Sequence, residues 1–334
     1  MQSAGRFAAR AREDVCYHAY TIWLFTRSDL KTIVVPKSIF GIMGALPGSP
    51  LTGQVMQGGR VTTAWSVVSR IPLVVFWVWI VLLPFNIDNQ RRPAAVEEDA
   101  ANRPWRPLPA QRMSPKQAAR LEMVLHSVAV AYSWRVGGLR QSLTGMVLGW
   151  VYNGLGGADR SCVAKNAVNA LGYVTFSMGA VSVAARAEPS ECGVRWFWLV
   201  GAVVFSTVQM QDLPDMEGDA LRRRRTVPLV IGPDACRWSV GLLVPFWTAA
   251  ATLFWGVWGG WPLPGLACAF LAVAVSWRVL TKRHRAGDQA TFRLWNLWMV
   301  SLYLLPLVAP RPGEPSLSAP PALGALGACL ADAC

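Results

Sequence analysis

The sequence has few charged residues, and this shortage argues against an ordinary soluble domain. Asp, Glu, Lys and Arg make up 15% of the 334 residues, whereas soluble proteins contain about 25%. Hydrophobic residues make up 53%, and the mean hydropathy is +0.32. A chain this apolar is typical of a polytopic membrane protein. We therefore expect an integral, multi-pass protein whose surroundings are the lipid bilayer.

Several common functional motifs are missing. The seven cysteines include no CxxC pair, and the three histidines lie far apart, which argues against a zinc site and against a disulfide framework. The chain has no GxxxxGK[ST] phosphate-binding loop. Its N-terminus has no short apolar core before a small-residue cleavage site, so we predict no signal peptide.

Acidic residues are also scarce compared with basic ones. The chain has 19 Asp and Glu against 32 Lys and Arg, which gives a formal net charge of +13. A basic chain can indicate a nucleic-acid partner. In a membrane protein, however, excess Lys and Arg marks the cytoplasmic loops. We therefore expect no nucleic-acid partner, and protein partners cannot be inferred.

Long apolar segments predict an all-α fold with about nine transmembrane helices. Each is close to the ~20 residues needed to cross a bilayer. They lie near residues 32–47, 65–85, 117–135, 140–157, 163–184, 195–212, 235–258, 261–281 and 291–309. Basic residues cluster in alternate loops, which predicts that the loops at 86–116 and 213–234 both face the cytosol.

The same pattern predicts three regions. Residues 1–31 form a basic cytosolic N-terminal segment, and residues 32–309 form the transmembrane domain. Residues 310–334 are rich in Pro, Ala, Gly and Ser, which is typical of a flexible tail. We expect the tail on the non-cytosolic side.

The most informative stretch is residues 212–228, which read DLPDMEGDALRRRRTVP. Asp212, Asp215 and Asp219 are spaced i, i+3 and i+7, so a helix would place them on one face. An aspartate at the bilayer centre costs about 2.5–3.5 kcal/mol, so water, arginine or a metal must compensate. A solvated helix end is the alternative. The arginines at 222–225 could equally be a positive-inside anchor.

A weak internal repeat accompanies this stretch. The loop at 86–116 reads NIDNQRRPAAVEEDAANRPWRPLPAQRMSPK and also places acids just before basic and proline residues. Two similar halves facing each other would bring their carboxylates together over one cavity. Mg²⁺ prefers a few carboxylates plus phosphate oxygens, and arginine binds phosphate through two hydrogen bonds. The two loops together therefore match a magnesium-bridged diphosphate.

These motifs resemble those of the UbiA superfamily of intramembrane prenyltransferases. Residues 212–228 fit DxxDxxGDxxxxxxTxP, the second aspartate motif of that superfamily. Residues 99–107 resemble the end of its first motif, D-x-x-N-[KR]-P-x-R-P. Tyr152 with Asn153, and Lys165 with Asn166 and Asn169, resemble family positions on the middle helices. The resemblance covers about residues 20–310.

The resemblance implies a ring of nine helices around a cavity that opens toward the membrane. It implies an isoprenyl diphosphate substrate, Mg²⁺, and ionisation to an allylic carbocation. The catalytic residues would be Asp99, Asp212, Asp215 and Asp219, with Glu98 joining them as metal ligands. The diphosphate would contact Asn102, Arg103, Arg106, Lys165 and Arg225. Cavity candidates are Asn89, Gln90, Tyr152, Asn153, Asn166 and Asn169. Lys165 could instead extend to a membrane surface.

The first motif departs from the usual N-x-x-x-D-x-x-x-D, because Arg91 and Ala95 stand at the amide and acid positions. The altered form resembles a fungal branch of the superfamily that includes a sesquiterpene cyclase of the fumagillin pathway. Residues 22–42 support the same comparison. Either Glu97 or Glu98 could replace the missing acid.

The expected function is therefore Mg²⁺-dependent cyclisation of an isoprenyl diphosphate, farnesyl diphosphate being the first choice. The alternative is transfer of an isoprenyl group to an aromatic or lipid acceptor. The alternative that is not an enzyme is a transporter or a structural membrane protein. The resemblance favours the endoplasmic reticulum, with the active-site loops facing the cytosol.

Overall fold

The computed structural model describes residues 2–47, 49–52, 56–57, 60–61, 63–259 and 261–309. The predicted flexible tail lies outside these residues. Helix dominates the described chain, and the strands within it are one short antiparallel pair, Met56–Gln57 and Arg60–Val61. The predicted all-α class is confirmed.

The α-helices are numbered in chain order. They are α1 (Gln2–Thr26), α2 (Val35–Gly44), α3 (Ala64–Val68), α4 (Ile71–Arg91), α5 (Pro93–Asn102), α6 (Pro115–Val136), α7 (Leu139–Gly149), α8 (Gly157–Arg160), α9 (Cys162–Ala185), α10 (Glu191–Thr207), α11 (Met216–Leu221), α12 (Val227–Ile231), α13 (Pro233–Phe254), α14 (Leu263–Thr281) and α15 (Arg285–Tyr303). π-Helices cover Leu30–Val34 and Trp150–Gly154, and 3-10 helices cover Val208–Asp215, Val257–Gly259 and Leu305–Val308.

All nine predicted spans overlap helices of the structure. Five helical segments within the described residues are both long and apolar enough to cross a membrane: Ala64–Arg91, Cys162–Ala185, Glu191–Leu221, Leu263–Thr281 and Arg285–Val308. These segments indicate that the chain is a membrane protein. The count of nine stays a prediction, because α2, α6, α7 and α13 fall short in length or hydropathy.

The long helices form a ring. Each helix in the series α4, α6, α7, α9, α10, α13, α14 and α15 packs against the next, and α2 closes the ring by contacting α15, α4 and α9. The approach of α2 to α9 is close, because a Cβ added at Gly41 would lie 2.6 Å from the Cβ of Ala180. Small residues at such crossings allow backbones to pack closely in membranes.

Buried tryptophans join helices on both sides of the ring through their indole N–H groups. Trp77 donates to Ser133 Oγ at 2.9 Å, and Trp298 donates to Thr248 Oγ1 at 2.9 Å. Indole rings bury a large apolar area, and each N–H needs an acceptor when water is absent. These pairs fix α4 on α6 and α15 on α13.

The two halves of the predicted repeat meet at one end of the ring, where α5 packs against α11. The contact depends on Gly218, because a Cβ there would overlap the Asn102 side chain. The prediction that the two loops lie on one side is consistent with this contact.

Candidate active site

A cavity of about 540 Å³ lies beneath α5 and α11, inside the ring. Its volume is within the range of roughly 300–1,000 Å³ that small-molecule sites occupy. Glu98 and Asp99 of α5 line it, together with all three aspartates of the second motif, Asp212, Asp215 and Asp219. The prediction that the two motifs share one cavity is therefore confirmed.

The three aspartates reach the cavity from two kinds of helix. Val208–Asp215 is a 3-10 helix, whose three residues per turn place Asp212 and Asp215 one above the other. The chain then continues as α11, whose first turn carries Asp219. The sequence predicted one helical face. The shared side is correct, but a 3-10 turn rather than a regular α-helix produces it.

The second-motif acids each contact a basic side chain. Asp212 Oδ1 accepts from Lys165 Nζ at 2.7 Å, and Asp215 Oδ2 accepts from Arg103 at 2.5 Å. Lys165 is buried, so it does not extend to a membrane surface. Within the described chain, Asp212 and Asp219 each keep one carboxylate oxygen, Oδ2, without a hydrogen-bond partner.

The first motif presents its acids from α5. Asp99 accepts two hydrogen bonds from Arg106 Nη1, at 2.7 and 2.9 Å. Burial raises the pKa of Asp99, although Arg106 acts in the opposite direction. Glu98 is buried in the same wall, whereas Glu97 is exposed. The structure therefore places Glu98, and not Glu97, beside the small Ala95 that stands where an acid was expected.

The structure does not bring Arg225 to the cavity, although only this arginine has a motif position. Its side chain is exposed, while Arg222 and Arg224 line the cavity. Arg224 Nη1 donates to Glu98 at 3.0 Å and to Asp219 at 3.2 Å. The reason is a turn: α11 ends at Leu221, and Arg223 adopts a left-handed φ of 56°.

Asp159 is the third acid of this arginine cluster. It pairs with Arg224 Nε at 2.9 Å and with Arg222 Nε at 3.2 Å. The Arg225 backbone N–H also donates to the Asp159 carbonyl at 3.0 Å. Asp159 belongs to neither sequence motif; it lies within α8, two residues after the start of that helix at Gly157.

Asn102 lies at the rim, between the motifs. Its Oδ1 accepts from Arg285 Nη2 at 2.9 Å, and its Nδ2 has no partner among the described residues. The side chain lines the cavity, and its Nδ2 packs against Gly218 of α11.

The neutral polar candidates divide into two groups. Asn89, Tyr152 and Asn169 line the cavity, and both Asn89 Oδ1 and Asn169 Nδ2 lack partners within the described chain. Tyr152 belongs to the second π-helix, and such irregular turns occur often at functional sites.

The other three candidates do not line this cavity. Gln90 donates to the Phe25 carbonyl at 2.9 Å, and Asn166 donates to the Phe205 carbonyl at 3.0 Å. Asn153 faces a smaller neighbouring pocket between α4, α6 and α7. The structure thus separates Tyr152 from Asn153, which the sequence paired.

Aromatic side chains form a second part of the cavity lining. Six rings line the cavity, from Phe85, Trp105, Tyr152, Tyr173, Phe176 and Phe292. Aromatic faces attract cations by roughly 0.5–2 kcal/mol each. The segment around the first π-helix also contributes lining residues, Arg27, Ser28, Asp29, Lys31, Thr32 and Ile33. The sequence analysis did not assign this segment to the site.

The acids do not form one preassembled metal cluster, since no group of three such residues suitable for a metal ion occurs in the described ranges. Each acid pairs with a base instead. The donor set nevertheless fits a divalent cation shared with a diphosphate. Mg²⁺ takes only a few carboxylates there. Asp212 and Asp219 both line the cavity, and each has a buried Oδ2 without a partner in the described chain.

The comparisons with known proteins agree with this architecture. A model of the UbiA prenyltransferase family matches residues 73–298. The somaliensene A/B synthase of Streptomyces somaliensis is 29% identical over 302 residues, with 86% of this chain and 90% of that protein covered. The fumagillin beta-trans-bergamotene synthase of Aspergillus fumigatus is 25% identical over 300 residues, with 88% and 94% covered.

A solved structure shows the same fold. It is a UbiA homolog from Archaeoglobus fulgidus bound to GPP and Mg²⁺, with a TM-score of 0.59 at 13% identity. The alignment covers 86% of this chain and 100% of that one. The all-helical membrane fold predicted from the sequence is therefore confirmed as UbiA-like.

Proposed function

This chain belongs to the UbiA prenyltransferase family and is an enzyme of that family, and from this premise we propose that it is a Mg²⁺-dependent sesquiterpene cyclase acting on farnesyl diphosphate. The observation that carries the proposal is that one cavity is lined both by charged side chains of the two motifs and by six aromatic rings. We name these two sets of lining residues the ionic end and the aromatic end. Two relatives that span most of the chain are named as terpene synthases.

The ionic end suits a diphosphate. Arg103, Arg106 and Arg224 present guanidinium groups, and arginine binds phosphate oxygens through paired hydrogen bonds. Asp212 and Asp219 would hold Mg²⁺ through their unpartnered oxygens, together with Glu98, Asp99 and Asp215. When bound, Mg²⁺ neutralises the charge of the departing diphosphate. The GPP- and Mg²⁺-bound relative supports this assignment of ligand type.

The aromatic end suits the carbocation. After the C–O bond breaks, the farnesyl chain must fold on itself in a space without water. The six lining rings supply π faces to the cation, and their apolar bodies exclude water. Cyclisation of an isolated chain needs no acceptor molecule beside the cation.

The proposal is tested with membranes that contain the protein, farnesyl diphosphate and Mg²⁺, and no acceptor. A volatile sesquiterpene hydrocarbon should form and should vanish with EDTA or in the Asp219→Asn variant. If geranylgeranyl diphosphate reacts and farnesyl diphosphate is inert, the class stands and the chain length is wrong.

One observation favours transfer to an acceptor as the second candidate. Asn89 and Asn169 offer unpartnered amide atoms on the cavity wall, and these could orient a phenol or a lipid hydroxyl. Activity that requires an added acceptor such as a hydroxybenzoate would establish this function and exclude the cyclase.

We also propose that α5 and α11 face the cytosol at the endoplasmic reticulum. The basic loops near both helices support this orientation. Single cysteines introduced at Gln111 and Ile231, which are both exposed, should be labelled from the same, cytosolic face. Labelling from opposite faces would contradict the shared orientation.

A further inference from the structure

Asp29 is an acid of the cavity that belongs to neither motif. It follows the end of α1 and lies among the lining residues. Its carboxylate differs from those of the motif acids in one respect. Each of the five motif acids in the cavity contacts an arginine or a lysine, whereas Asp29 forms no ion pair with any described residue. Its side-chain partners are neutral. Asn86 Nδ2 donates to Oδ2 at 2.9 Å, and the Thr32 side chain also hydrogen-bonds to the carboxylate.

The Asp29 side chain does not cap the helix that follows it. Asp29 is the N-cap of the first π-helix, a position where aspartate normally accepts from a backbone N–H of the first turn. No such hydrogen bond is made here. The Asp29 carbonyl instead accepts from both Ile33 at 2.8 Å and Val34 at 3.0 Å, which forms the wide turn. The carboxylate is thereby free to face the cavity.

The charges around Asp29 place it between the two ends of the cavity. Arg103 and Arg106 lie near enough to act on it electrostatically, but their side chains contact Asp215 and Asp99. Burial raises the pKa of Asp29, although Arg106 and Arg103 act in the opposite direction. A half-buried carboxylate that is free of an arginine contact, as Asp29 is, is more basic than one that is ion-paired.

Cyclisation to a hydrocarbon requires a base. Ionisation releases the diphosphate and leaves a carbocation, and the carbocation must then lose a proton from a carbon beside the charge. The C–H bond breaks, and its electron pair becomes the new C=C double bond. The net change converts the prenyl diphosphate into hydrocarbon, diphosphate and one proton.

On the strength of the proposed function, we propose that Asp29 is the base that accepts this proton. The carboxylate becomes a carboxylic acid, and Asn86 holds it in position through the Oδ2 contact. The anion also attracts the cation toward the wall where the proton is removed. The motif acids are unsuited to this step, because arginine and lysine already share their negative charge.

The test is Asp29→Asn, which keeps the shape and removes the base. Two products are measured separately: total diphosphate release, and the identity of the organic product. We expect diphosphate release within about threefold of the parent, and a loss of the parent hydrocarbon of about tenfold or more, in keeping with the size of general-base effects. Alcohols from water capture, or isomeric alkenes, should replace it. Asp29→Glu should restore hydrocarbon in part.

The matched control is Asp14→Asn, an acid-to-amide change on the exposed face of α1, which should alter neither product. If Asp29→Asn fails to accumulate, Asn86→Ala serves instead, because it removes the Asp29 contact and should shift the product ratio in the same direction. Parallel loss of diphosphate release and hydrocarbon would overturn the inference, since Asp29 would then support ionisation. An unchanged product would overturn it too. A parent protein that releases no diphosphate contradicts the proposed function instead.

Discussion

Two parts of the cavity handle buried charge in opposite ways. At the ionic end, formed by the two motifs, every acid contacts a base, as in the Lys165–Asp212 pair at 2.7 Å. At the aromatic end, Lys37 is fully buried behind the cavity wall and has no acidic partner in the described chain. Its Nζ contacts Ser177 Oγ at 3.0 Å and Tyr303 OH at 2.8 Å.

The two parts should therefore differ in how much stability is lost when one charged side chain is removed. Removing one member of a buried ion pair leaves an uncompensated charge, which costs about 3–5 kcal/mol. Lys37 is held instead by neutral oxygens and by the ring of Tyr173, 4.1 Å from Nζ. An apolar replacement there removes the charge and its desolvation cost together. The ionic end should therefore be fragile and the aromatic end tolerant.

The largest expected effect is on turnover at the ionic end. Asp219→Asn, Asp212→Asn and Asp99→Asn should each lower turnover by about 10²–10³-fold. An amide lacks the anionic oxygen that would hold Mg²⁺, and the charge of the departing diphosphate would then not be neutralised. The protein should still accumulate in membranes. Product formation with Mg²⁺ and farnesyl diphosphate measures the effect.

Glu217→Gln is the control for these variants, because Glu217 lies on the exposed side of α11. It should retain nearly full turnover. Near-normal activity in all three Asn variants would show that the acids have a structural role only. Turnover would then not depend on the acids of the ionic end.

A second large effect should appear in stability. Arg224→Met leaves the buried Asp219 without an ion pair, while Arg222 still pairs with Glu98 and Asp159. We expect a loss of about 3–5 kcal/mol from the uncompensated charge of Asp219. Thermal unfolding in detergent measures it. Arg225→Met should change little, since Arg225 is exposed. If Arg225→Met lost more stability than Arg224→Met, the motif position would identify the important arginine, and the folded geometry would not.

The sequence predicted the fold and most of the ionic end for local reasons. Apolar runs located the helices, and the i, i+3, i+7 spacing located the three aspartates. Arg224 could not be chosen over Arg225, because the choice depends on the left-handed turn at Arg223. Lys37 and Asp29 could not be assigned either. Their partners Tyr303 and Asn86 are distant in sequence, and only the closed ring brings them together.

The aromatic end should determine chain length. Gly172 lines the cavity, and a Cβ added there would meet no atom within 4 Å. Gly172→Leu should therefore fold normally and shorten the space for the prenyl chain. We expect a loss of about 10–200-fold with farnesyl diphosphate, the range that one methylene of misfit produces, and a much smaller loss with geranyl diphosphate. Gly172→Ala should show a weaker effect in the same direction. Equal losses with both substrates would show that the hydrocarbon lies elsewhere.

The smallest effect should come from Lys37→Met, and it tests the comparison most directly. Methionine fills much the same volume as the lysine stem. The change leaves the Tyr303 hydroxyl without its partner, at about 1–3 kcal/mol, but it also removes the cost of burying an ammonium group, which is several kcal/mol. The two nearly cancel, so we expect a stability change within about 1 kcal/mol and unaltered diphosphate release.

Lys165→Met is the matched variant, because Lys165 is a buried lysine of the same ring whose partner is the carboxylate of Asp212. Its loss exposes that carboxylate to an apolar surrounding, so we expect about 3–5 kcal/mol of destabilisation and little turnover. Unfolding in detergent and diphosphate release are measured for both variants. If Lys37→Met is as damaging as Lys165→Met, the ammonium of Lys37 itself is required at the aromatic end. The two ends would then differ only in the partners of their buried lysines, since stability and diphosphate release would require both lysine charges equally.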